Sequence, residues 1–160
     1  MQALYRRGIT IRQLRNGDTA TVASLFTRLG DESRARRFCG AKPRLSDREL
    51  AYLAAVDGSR HVIVGYAEGD PQPAGIARLV REGSSAEIAV TVAAQPQGRG
   101  VGTELMRALA ADARAAGITH FTATVCGDNP PIVALLRQVS ATIEERWLGR
   151  EREFSVALRG

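Results

Sequence analysis

The segment Val92-Ala93-Ala94-Gln95-Pro96-Gln97-Gly98-Arg99-Gly100-Val101-Gly102-Thr103 constrains this chain more than any other. A β-rich run ends at Val92, glycines follow at i, i+2 and i+4, and an amphipathic helical pattern begins at Val101. Glycine lets the backbone adopt positive φ and come close to a ligand. Successive N–H groups then converge ahead of a helix N-terminus, whose dipole favours anions. The pattern predicts a phosphate cradle between a strand and a helix, and hence a layered α/β fold. No Lys-Ser/Thr pair follows the glycines, which excludes a P-loop. Their spacing is not G-x-G-x-x-G, which excludes the dinucleotide fingerprint.

The rest of the chain supplies matching elements. Strands are expected at Thr10–Leu14, His61–Glu68, Ala74–Arg81, Ser85–Val92, Phe121–Cys126, Ile143–Leu148 and Glu151–Leu158. Asp18 is placed to cap a helix over Thr19–Leu29, and Ser46 with Glu49 forms a capping-box pattern for a second helix running to about Val56. A third runs from Val101 to Ala116, with Leu105, Met106, Leu109 and Ala113 as its apolar stripe and Glu104, Arg107, Asp112 and Arg114 facing water. Asn129 caps a short fourth helix opened by Pro130-Pro131. The order is β-α-α-β-β-β-α-β-α-β-β: a mixed sheet of six or seven strands with four helices, in one domain over residues 1–160.

Composition narrows the function classes. No apolar stretch approaches the roughly 18 residues of a membrane span, and the N-terminus has no apolar signal core. The expected location is the cytoplasm, with Cys39 and Cys126 as free thiols and no metal-ligand spacing between them. The net charge is +5, from 22 basic and 17 acidic residues. That surplus is spread along the chain, which argues against a nucleic-acid stripe and suits a polyanionic ligand.

Gln97-x-x-Gly100-x-Gly102 resembles the Q/R-x-x-G-x-G/A signature of the GNAT acetyltransferases, and the element order resembles their fold over nearly the whole chain. The resemblance implies acetyl-CoA as co-substrate. Its pyrophosphate would be held by Gln97, Gly98, Arg99, Gly100, Val101, Gly102 and Thr103, and its pantetheine arm would pair with Ala89, Val90, Thr91 and Val92. It implies Val90 N–H as the oxyanion donor and Asn129 as a pantetheine contact, although Asn129 reads equally as a simple helix cap. In the family's second motif a tyrosine often protonates the leaving thiolate. Here Leu136 stands at that position, and Ser140-Ala141 replaces Gly-Phe.

Glu87 lies five residues before Val92, about 16 Å along an extended strand. That is comparable to the pantetheine arm, so a thiol tethered at the loop would arrive beside this carboxylate. An amine must be neutral to attack a thioester, and lysine is protonated at pH 7. A carboxylate can take that proton. In the protein lysine acetyltransferases that this strand resembles, a glutamate in this context is the general base. The alternative reading of Glu87 is a surface carboxylate paired with an arginine.

The runs Asp31–Phe38, Arg44–Leu50 and Val56–Val62, and Ala86–Gly100, resemble the bacterial Pat-type protein lysine acetyltransferases. Several of those carry a sensing domain, for which 160 residues leave no room. The expectation is acetyl transfer to a protein lysine, with acyl-CoA ligases as acceptors, by direct attack. Two other readings stay open: acetylation of a small amine such as an antibiotic or polyamine, and an acyl-CoA-binding regulatory module without turnover.

Overall fold

The computed structural model describes residues 3–6, 8–29, 45–93, 100–126 and 130–160. Its strands are β1 (Ala3–Arg6), β2 (Ile9–Gln13), β3 (Arg60–Ala67), β4 (Gly75–Glu82), β5 (Ser85–Val92), β6 (His120–Cys126), β7 (Ser140–Leu148) and β8 (Glu151–Leu158). Its helices are α1 (Thr19–Arg28), α2 (Asp47–Leu53), α3 (Val101–Ala115) and α4 (Pro130–Val139). The strands form one mixed sheet in the order β1-β2-β3-β4-β5-β6-β8-β7. Every pairing is antiparallel except β5 with β6.

The first strand, β1, was not expected from sequence, where the first strand is placed at Thr10–Leu14. Arg6 pairs with Ile9, so a tight hairpin joins it to β2, with Gly8 at φ 73°. The other departures are at element ends. Helix α2 stops at Leu53, short of Val56, and Asp57 instead closes a turn by accepting from the Ser59 and Arg60 N–H groups at 2.9 and 2.8 Å. These bonds hold the Asp57 carboxyl below the usual aspartate range. Strand β7 starts at Ser140, directly after α4.

Alternation along the strands builds two cores. Ile9, Ile11, Ile63, Ala77, Leu79, Ile88, Phe121 and Val156 form the main one with α3 and α4. On the opposite face, Val62, Val64 and Leu14 meet Val22 of α1 and Ala54 beyond α2. Both helix caps form as expected. Asp18 accepts from Thr21 N–H at 3.1 Å, and Ser46 and Glu49 exchange bonds at 3.0 and 3.1 Å. One facing is corrected: Glu104 does not face water but is buried, 3% exposed, with its carboxylate bonded to Arg107 at 3.3 Å. Helix α3 lies against strands β2 to β5 as well as α4, so more of its circumference is enclosed than an apolar stripe alone suggests.

Two glycines set how closely α3 lies on the sheet. Gly65 of β3 and Gly75 of β4 are cross-strand partners. A Cβ at Gly75 would lie 2.8 Å from Leu105 Cδ1 and 3.1 Å from Val101 Cγ1; one at Gly65 would lie 3.2 Å from Val101 Cγ1. The first turn of α3 therefore drops onto bare backbone. Gly75 also pairs with Val92, so the helix N-terminus is seated at the end of β5.

Candidate functional site

Strands β5 and β6 are neighbours only at their beginnings. Ser85, Ala86 and Glu87 pair with His120, Phe121 and Thr122, and the pairing stops there. Beyond Glu87, β5 continues to Val92 against β4 alone, while β6 continues to Cys126 against β8 alone. The two strands part and leave a cleft whose β5 wall is Ile88–Val92. Main-chain groups on that wall have no strand partner among the described residues, so an extended, amide-bearing ligand can complete the ladder.

The far end of the cleft is the α3 N-terminus. Gly100 is its N-cap in the left-handed region, φ 74° and ψ 20°, a conformation that costs a β-carbon-bearing residue. Gly100 offers no side chain to cap this helix, so among the described residues its first-turn N–H groups, which lack intrahelical acceptors, stay open to an anion. Val101 is anchored in the core at 2% exposure. A Cβ on Gly102 would lie 3.3 Å from Val92 Cγ2 and 3.4 Å from Leu135 Cδ1, so the end of β5, the start of α3 and the middle of α4 meet at this glycine. Thr103 completes the turn, half-buried. These features fit a diphosphate at one end of a slot lined by strand backbone.

Glu87 stands at the other end, where the strands begin to part. It is exposed, between Val80 on β4 and Thr122 on β6. Among the described residues it has no hydrogen-bond or ion-pair partner. Ala89 and Thr91 share its face of the sheet; Val90 and Val92 point to the other face and pack on the main core. Leu136 is fully buried in that core. Gln97, Gly98, Arg99 and Asn129 lie outside the described residues, as does Cys39, and the Cys126 side chain is not described.

Away from the cleft, His61 holds α3 to β3 through Asp112 at 2.8 Å. Phe154 is core at 2% exposure, whereas Trp147 is exposed at 59%. No group of three or more metal-ligating side chains occurs among the described residues, and no described helix is long and apolar enough to cross a membrane. Sequence reasoning missed Arg78. It lies on β4 between Ile76 and Val80, in register with Ala89, and is only 8% exposed. The sequence shows only a cation in phase with Ile76 and Val80; its burial comes from the layers packed over the strand.

The family model for the acetyltransferase (GNAT) family matches residues 18–139. The chain belongs to the GNAT acetyltransferase family. Its mixed sheet is the family's. One relative, Acetyltransferase Pat of Mycolicibacterium smegmatis, is 32% identical over 143 residues. That match takes in 87% of this GNAT chain and 43% of Pat, so the chain spans less than half of that relative. The solved GNAT domain of S. lividans PAT superposes with a TM-score of 0.82 at 24% identity, over 98% of this chain and 96% of that one. A cAMP-binding acyltransferase from Mycobacterium smegmatis gives a TM-score of 0.65 at 26% identity, over 99% of this chain and 48% of that one. A Salmonella typhimurium protein solved with acetyl-CoA shares the fold at a TM-score of 0.68 and 20% identity, with 95% of each chain covered.

Proposed function

We propose that this GNAT chain, acting as one domain over residues 1–160, transfers acetyl from acetyl-CoA to a lysine ε-amine of a protein, with Glu87 as general base. The observation that carries the reading is the parting of β5 and β6 immediately after Glu87, with the α3 N-terminus at the far end of the same cleft. Five residues of strand separate the two, about 16 Å. The co-substrate supplies an activated acetyl thioester, and the chain's residues do the rest. Gln97, Gly98, Arg99, Gly100, Val101, Gly102 and Thr103 hold the pyrophosphate by main-chain N–H groups and the helix dipole. Ala89, Val90, Thr91 and Val92 pair with the pantetheine amides, and Asn129 contacts the same arm.

Glu87 removes the proton that keeps a lysine amine from attacking. Val90 N–H stabilises the oxyanion that forms at the thioester carbonyl. No activated nucleophile is found among the described residues, which favours direct attack over a covalent enzyme intermediate. Leu136, closed into the core, cannot protonate the leaving thiolate, so that proton comes from water or the thiolate leaves unprotonated. The resemblance to Pat supports a protein lysine, with acyl-CoA ligases as first acceptors to test, and a cytoplasmic setting.

The experiment is CoA-thiol release from acetyl-CoA with a ligase protein, a lysine peptide and a panel of small amines. Release with the ligase or peptide supports the reading. Release with antibiotics or polyamines alone replaces it with small-amine acetylation, and tight acetyl-CoA binding without release under any acceptor replaces it with a binding module.

A further inference from the structure

A small recess lies on the Glu87 face of the sheet, under α1 and α2. Val22, Leu25, Phe26, Leu29, Leu53 and Ile76 make most of its wall, Ala89 and Thr91 of β5 close one side, and Arg78 is its one charged residue among the described residues. Arg78 Nε is buried and has no hydrogen-bond partner among the described residues. One Nη reaches the Tyr52 carbonyl only at 3.4 Å, longer than an ordinary N–H···O bond. The guanidinium lies against the Tyr52 ring, 4.5 Å from its centroid. Glu87, diagonal to Arg78 across the β4–β5 ladder, does not close on it.

A guanidinium cannot shed its proton to escape burial. An unpaired buried cation costs several kcal/mol unless something satisfies it. Its fork of donors matches a carboxylate in two-point contact. The diagonal across a ladder is about 7–8 Å, so an anion on Arg78 sits within a few methylenes of an amine or acyl group at Glu87. We infer that the recess around Arg78 is a carboxylate subsite, which holds an acid group carried either by the acyl chain or by the acceptor. The inference rests on the transfer site proposed above for its purpose, but its test is a binding equilibrium that does not need turnover.

Calorimetry on the full chain compares two probe pairs: succinyl-CoA against acetyl-CoA, and N-acetyl-lysine against N-acetyl-lysine amide with CoA present. The expected result is that one carboxylate-bearing probe binds at least about tenfold more tightly than its neutral partner, a difference of about 1.4 kcal/mol. Arg78→Met abolishes that preference, and Arg78→Lys, which keeps the charge but not the fork, reduces it. Preference within the CoA pair assigns the acid to the acyl chain; preference within the lysine pair assigns it to the acceptor. No preference in either pair, or one that survives Arg78→Met, overturns the inference. A thermal scan without ligand guards against misfolding. A carboxylate subsite predicts that Arg78→Met melts at or above the parent, whereas a purely structural arginine predicts a lower Tm. Carboxylate preference without acetyl release would sink the acyl-transfer reading alone, and release without preference would sink the subsite alone.

Discussion

At Glu87 the chemistry depends on one proton. Replacing it with glutamine keeps shape and removes basicity, so kcat/KM at pH 7 should fall by about 10²- to 10⁴-fold. The deficit should shrink towards pH 10, where lysine is increasingly neutral without help. Rates across pH check this, and an unchanged rate at pH 7 removes Glu87 from the mechanism. Gly75 makes a different prediction. A methyl group there meets Leu105 and Val101 of α3 and lies 3.1 Å from the Thr91 carbonyl. Gly75→Ala should cost about 1–3 kcal/mol, lowering Tm by roughly 2–4 °C per kcal/mol. It should also weaken acetyl-CoA binding, because the α3 N-terminus is lifted from the end of β5. At Asp57 the sign follows from its lowered pKa. The folded state holds its proton less tightly than the unfolded chain, so the carboxylate stabilises above about pH 3.9, and the gain disappears as pH falls through the lower folded value. Asp57→Ala should therefore lower Tm at pH 7, with the gap closing in acid.

At the scale of elements, α2 shows how local signals and tertiary position combine. Its seven residues include none that is fully buried, and its start is fixed by the Ser46–Glu49 box. Ser46→Ala should cost about 1 kcal/mol, measured by denaturant melts, and should loosen the cover over Arg78 through Tyr52. Such signals were legible in the sequence because caps and turns are written locally: Asp18, Ser46 and Glu49 needed no knowledge of the fold. Strand existence was legible from apolar runs, but β1 was not, since it is short and its pairing is supplied by a hairpin at Gly8. Glu104 was misjudged because helix periodicity reports the sheet-facing stripe and not how far the flank beside it is enclosed. The facing glycines at 65 and 75 were invisible, because what makes them matter is strand register. The same holds for Arg78: its burial, and the absence of a partner for Nε, are properties of packed layers.

For the whole molecule, the function depends on one topological event. A single parallel pairing in an otherwise antiparallel sheet ends after three residue pairs, and the chain crosses between its two strands through α3. That crossover puts a helix N-terminus at one end of the resulting cleft and Glu87 at the other. Binding there should stabilise the fold by mass action: acetyl-CoA at 100 times its Kd adds about 2.7 kcal/mol, a Tm rise of roughly 5–11 °C for a chain of this size. Membership of the GNAT family rests on the chain's own match and on the superposed sheet; the lysine acceptor rests on likeness to Pat. The most direct test of the account is therefore acetylation itself: acetyl-CoA, the purified chain and an acyl-CoA ligase, with mass spectrometry of the ligase and Glu87→Gln run in parallel. Acetyl groups on ligase lysines with the parent chain, and their loss with Glu87→Gln at pH 7, are the predicted result. A ligase left unmodified by a chain that still binds acetyl-CoA, or modified equally by both proteins, would contradict it.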